Sequence, residues 1–204
     1  MKKFFIKYNL EIMTAIFIAI VIVNIFNWNS ISFLTQILMG YIILFILHEW
    51  EESKFPGGFY ELFFDGFNVE TNGIESLLHL PVAIYLLIIM ILPLILKSIE
   101  LLMLVPLILA LFEGFIHNAG IFIFKKKKPY TPGLVSADIM FVFSIWAIIQ
   151  LNIQNTFTNS EWIIGIILTI IGFIIMETFF LKTVGLTFKE FRKKAMERVL
   201  KRKV

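Results

Sequence analysis

The sequence predicts an all-α fold, an integral membrane bundle of about six transmembrane helices with a C-terminal basic amphipathic helix. Three observations carry this. Of 204 residues, 59% are hydrophobic and only 16% charged, with a mean hydropathy of +0.88, whereas soluble domains run nearer a quarter charged. Apolar stretches of bilayer length, about 20 residues, recur six times. The short polar clusters between them alternate between basic and nearly uncharged.

Spans are expected at roughly 10–27, 31–50, 74–96, 100–124, 134–152 and 162–181. Asn27, Asn29 and Ser30 part the first two, Lys97 and Ser98 mark the turn after the third, Lys125 to Lys128 with Pro129 stop the fourth, and residues 152–160 separate the last two. The first run follows Lys2, Lys3 and Lys7 as a signal peptide would, but no small-x-small cleavage site follows it, so it is read as a retained span. After the second span, Pro56-Gly57-Gly58 predicts a bend. Phe59, Tyr60, Phe63, Phe64 and Phe67 then predict a short interfacial helix, either an anchor at headgroup depth or a lid. Pro81, Pro93 and Pro106 could bend the third and fourth spans. At the end of the chain, Phe188, Phe191, Ala195 and Val199 recur at helical spacing against Lys189, Arg192, Lys193, Arg198, Lys201 and Arg202, the pattern of a helix lying on an anionic leaflet.

Counting Lys and Arg by connection orients the bundle, because cytoplasmic loops collect positive charge. With the N-terminus inside, seventeen of the eighteen basic residues fall inside and only Lys97 outside. The expectation is a multi-pass protein of the cell membrane with both termini cytoplasmic. Residues 1–182 form a six-span membrane domain and 183–204 a cytoplasmic tail. Nine of the basic residues lie at or beyond Lys182, so the overall charge points to the lipid bilayer as partner and to no nucleic acid.

The chain has no cysteine, which excludes disulfides, thiolate nucleophiles and cysteine-ligated metals. It has three histidines, each at helical spacing from a glutamate: His48 with Glu51 and Glu52 in His-Glu-Trp-Glu-Glu, Glu75 with His79, and Glu113 with His117. Residues three or four apart share a helix face, so each motif can present two or three donor atoms to one point. Ionisable groups in a span cost about 2.5–3.5 kcal/mol each on insertion scales, which makes a common partner the economical arrangement. By the inferred topology, all three motifs fall in the inner half of the bilayer.

These residues are therefore expected to converge as ligands, His48, Glu51, Glu52, Glu75, His79, Glu113 and His117 holding one or two divalent ions. The oxygen and nitrogen donors suit zinc, iron or manganese. Four glutamates would balance two divalent ions, which favours a dinuclear site. Glu52 or Glu49 is the expected general base. Asn118, Asp138 and Glu177, polar residues within the later spans, are expected as supporting or substrate-contacting groups. Paired histidines and glutamates that merely hold helices together, or relay protons, are the plainer alternative.

The His48-x-x-Glu51-Glu52 signature resembles that of the HXXEE family of small bacterial and archaeal membrane proteins. Glu113 to His117 and Tyr130-Thr131-Pro132-Gly133-Leu134 extend the resemblance over roughly 40–140. The family is of undefined function, so the resemblance implies a domain and no reaction.

Three functions compete. A metal-dependent membrane enzyme would hydrolyse a lipid or other hydrophobic substrate from the cytoplasmic leaflet. A di-iron oxygenase is disfavoured because three histidines are too few for the His-rich boxes of membrane desaturases. An ion- or proton-coupled transporter is the second reading, although no inverted repeat or matched pair of broken helices is present. A non-catalytic accessory or immunity-type protein is the third. No Gly-rich phosphate loop is present, since Pro56-Gly57-Gly58 is too short to make one.

Overall fold

The computed structural model describes residues 2–66, 74–124 and 130–200; Phe67 and Lys125 to Lys128 lie outside these, as do the side chains of Glu75, Ala195, Arg198 and Val199. Among the described residues there are no strands. The helices are α1 (Lys2–Lys7), α2 (Asn9–Phe26), α3 (Phe33–Ser53), α4 (Phe59–Gly66), α5 (Glu75–Ile95), α6 (Leu104–Phe124), α7 (Leu134–Ile153), α8 (Asn159–Thr183) and α9 (Phe188–Leu200). Six of them, α2, α3, α5, α6, α7 and α8, are long and apolar enough to cross a membrane. The fourth begins as a 3₁₀ turn at Glu100–Met103 before α6 proper. Pro81 and Pro93 sit within α5 without ending it, while Pro106 occupies the first turn of α6, where a missing N–H costs no helical hydrogen bond.

Helix ends are fixed by local chemistry. Thr158 and Glu161 form a reciprocal capping box at the start of α8. Thr187 and Glu190 repeat it before α9, where the Thr187 hydroxyl and N–H hold the Glu190 carboxyl below its usual range. The Ser32 hydroxyl accepts from Thr35 N–H and caps α3.

The main core lies where α2, α3, α5, α6 and α7 meet, and fully buries Met13, Phe17, Ile42, Met90, Ala110 and Met140. Helices α6 and α7 run closest together: a Cβ on Gly114 would stand 2.5 Å from Cβ of Phe141. Small residues at such crossings let backbones approach, which is how helices pack where lipid removes the hydrophobic drive between them. The outward faces carry exposed Phe26, Phe122, Val142 and Ile163, and α8 is the least buried span. That apolar exterior matches a bilayer.

One end of the bundle is covered. Gly57 and Gly58, at φ +74 and +90, make the bend that turns the chain from α3 into α4. Helix α4 buries Tyr60 and Phe64 against Leu78 of α5 and Phe180 and Leu181 of α8, a second apolar cluster apart from the main core. Phe191 of α9 stacks on Phe63 of α4 with ring centroids 5.5 Å apart. Within this aromatic segment Tyr60 and Phe64 are buried, and Phe59 and Phe63 pack partly buried against the same cluster.

Candidate metal centre

Beneath α4, the end of α3, the second half of α6 and the start of α7 converge on one buried point. His48, Glu52 and His117 each offer a ligand atom there, all within 4.8 Å of one another, and this group could hold a metal ion. Glu52 Oε1 is 3.0 Å from His117 Nε2 and 3.6 Å from His48 Nε2. Glu113 Oε2 stands 3.8 Å from His117 Nε2 and 3.9 Å from His48 Nε2. Donors bound about 2.0–2.1 Å from a tetrahedral ion lie roughly 3.4 Å apart, and these spacings bracket that value. Despite the 3.0 Å approach, His117 Nε2 makes no hydrogen bond and is buried. An orphaned buried nitrogen facing a carboxylate is what an ion would satisfy.

The tautomers can be deduced. Ser136 Oγ donates its single proton to Glu51 Oε2 at 2.5 Å or to Gly133 O at 3.2 Å, so it can only accept from His48 Nδ1, 3.1 Å away. Thr131 Oγ1 donates to the His117 carbonyl at 3.5 Å and accepts from His117 Nδ1 at 3.4 Å. His48 therefore carries a proton on Nδ1, and His117 does so when its Nδ1 donates to Thr131 Oγ1; each then turns Nε2 toward Glu52. Orienting a ligand imidazole through its other nitrogen is the usual support of a metal histidine.

The other residues singled out in the sequence do different things. Glu51, expected as a ligand, instead accepts from Tyr130 Oη, from the Val135 and Ser136 N–H groups and from Ser136 Oγ. Gly133, the residue capping α7, has no side chain to satisfy the first N–H groups of that helix, so Glu51 caps it from another span. The Tyr130 phenol is pushed up to about 12, by burial first and by Glu51 second. The HXXEE signature thus divides its labour: His48 and Glu52 face the centre, and Glu51 fastens α7 beside it.

His79 is likewise not brought to the centre. Its Nε2 meets Glu49 Oε2 at 2.8 Å and its Nδ1 is bonded to Asn9 Oδ1, whose amide NH₂ is occupied by the Ile6 and Ser76 carbonyls at 2.6 Å each. Glu49, expected as a general base, is the carboxylate of this buried chain. Asn118 donates to Asp138 at 2.6 Å and to the Gly114 carbonyl, an exposed pair between α6 and α7. Glu177 lines the cavity described below. The Glu75 side chain lies outside the described residues.

Sequence reasoning missed Asn9, Ser136 and the role of Thr131. Only Thr131 carried a signal, as part of the Tyr-Thr-Pro-Gly-Leu motif. Gly133 of that motif adopts φ +89, and a Cβ on it would stand 2.6 Å from His117 Cε1 and 2.7 Å from Glu52 Cγ. It is glycine because the backbone itself forms one wall of the centre.

An aromatic chamber of about 310 Å³ opens from the centre between α4, α8 and α9, and His48, Glu52 and Glu113 lie in its wall. Six bilayer-length helices with a buried His/Glu group at one end define a multi-pass membrane protein carrying a candidate metal centre. The chain belongs to the HXXEE family, described as a protein of unknown function with HXXEE motif, whose pattern matches residues 39–147, just over half of its length. The match takes in every residue of the His48, Glu52, Glu113 and His117 group, together with Gly133 and Ser136. No curated protein and no solved structure matches the chain.

Proposed function

We propose that the protein is a metal-dependent membrane hydrolase that cleaves an ester, amide or phosphate bond of a lipid-like substrate from the cytoplasmic leaflet. The observation that carries this is the buried His48–Glu52–His117 group, with its orphaned Nε2, beside an apolar chamber whose wall includes His48, Glu52 and Glu113. The sequence favoured two ions balanced by four glutamates. Among the described residues, Glu52 and Glu113 are the carboxylates set against both imidazoles, and two carboxylates balance one divalent ion.

His48, Glu52 and His117 would hold the ion, zinc, iron or manganese by donor type. Bound there, it would supply Lewis acidity and lower the pKa of a coordinated water toward neutrality. Glu113, the carboxylate nearest both imidazoles after Glu52, takes the proton as the water oxygen bonds to the carbonyl or phosphoryl atom. It returns the proton to the leaving oxygen or nitrogen as that bond breaks, so one water is consumed and the bond's two halves leave as an acid and an alcohol or amine. The chamber excludes bulk water and seats the apolar part of the substrate.

Metal analysis tests the reading. Protein purified in mild detergent without chelators is expected to retain about one equivalent of a divalent transition metal. His48→Ala and His117→Ala should each lose it while still inserting, because the spans that drive insertion are untouched. Metal-free wild-type protein that regains none on titration would overturn it.

A further inference from the structure

A second, smaller pocket of about 80 Å³ lies on the other side of Glu52, lined by polar groups that include Asn9, Ser76, His79, Lys7 and Glu61. Glu52 and Tyr60 line both this pocket and the aromatic chamber. The candidate reactive centre therefore stands at the junction of one apolar and one polar compartment.

We propose that the two compartments together form a binding site for a single-chain amphiphile, with its chain in the aromatic chamber, its compact polar head in the small pocket, and the Tyr60 hydroxyl donating to an oxygen at the junction. This rests on the hydrolase reading for its chemistry, but the occupancy can be measured without it.

Tyr60 is 4% exposed, and its Oη has no hydrogen-bond partner. A buried hydroxyl without a partner is costly, and Tyr60 lines both compartments. Burial, reinforced by Glu49 and Glu52, holds the phenol above its usual range, so it remains a donor. At ~30 Å³ per methylene-sized group, a chamber of about 310 Å³ has room for roughly ten such groups, the volume of one chain of about ten carbons. The polar pocket carries Lys7 and Lys54 against Glu11, Glu52 and Glu61, and Lys54 is 4.0 Å from Glu11. Mixed signs favour an uncharged or zwitterionic head. Met176 lines both the chamber and an outer apolar groove of about 580 Å³ between α5 and α8, which gives a chain a lateral route from the bilayer.

The test uses the full chain in lipid nanodiscs and a C10 monoacylglycerol bearing a photoreactive diazirine at the chain end. Crosslinks are mapped by mass spectrometry and affinity is read by competition with the unlabelled compound. Labels are expected on Phe63, Phe188 or Phe191, and Tyr60→Phe should weaken binding roughly three- to tenfold, the worth of one hydrogen bond. His117→Ala should keep the labelling pattern, because the chain compartment does not depend on the ion. Chamber labelling in protein that holds no metal would leave this proposal standing and remove the hydrolase reading. Metal-bound protein labelled only on lipid-facing positions such as Ile167 and Ile171 would do the reverse. Equal labelling of the chamber by a two-chain probe, or unchanged affinity of Tyr60→Phe, would overturn the proposal.

Discussion

Gly133 lies so close to His117 that a Cβ built on it would stand 2.6 Å from Cε1 of the imidazole ring, at a backbone φ of +89. The start of α7 is therefore a wall of the candidate metal centre as well as a helix end.

Gly133→Ala is expected to cost about 1–3 kcal/mol in backbone strain and to weaken metal binding by about 10- to 100-fold, the range for disturbed supports of a metal ligand. Metal titration beside thermal unfolding separates the two effects. Wild-type affinity in the variant would mean that the wall yields freely.

Ser136→Ala removes the acceptor that orients His48 and one of the donors to Glu51. The expected outcome is again a 10- to 100-fold loss of metal affinity, here with little change in unfolding temperature. Retained affinity would show that His48 needs no such orientation.

His79→Ala distinguishes ligand from pair. Because His79 is bonded to Glu49 and Asn9, the variant should keep its metal yet lose about 1–3 kcal/mol, the cost of leaving a buried hydrogen-bonding partner unsatisfied. Loss of metal with stability intact would return His79 to the centre.

Topology is checked by reporter fusions. Those at Asn29 and Ser160 should report outside and one at Lys127 inside, as the distribution of basic residues demands. An outside signal at Lys127 would overturn the six-span topology and, with it, the placing of the three His/Glu motifs in one leaflet.

Glu51→Gln tests the cap on α7. An amide NH₂ replaces one acceptor oxygen and faces either the Tyr130 and Val135 donors or those of Ser136. The expected loss is about 1–3 kcal/mol with metal content unchanged. Metal loss without destabilisation would restore Glu51 as a ligand.

The sequence by itself determined the six apolar spans, because bilayer thickness sets a length that composition alone reveals. It also determined which residues had to find partners, because ionisable side chains are too costly in a span to stand alone. Helical spacing showed that His48 could share a face with Glu52, and His117 with Glu113. Spacing is silent on what lies across a helix interface. That is why Glu51 and Glu52, adjacent and chemically identical, were both expected as ligands, while in the fold one turns to the N–H groups of α7 and the other to His117. Only tertiary structure paired His79 with Asn9, seventy residues away and on another helix. Only tertiary structure laid α4 over the centre, because burying Tyr60 and Phe64 required the faces of α5 and α8 that no local pattern encodes.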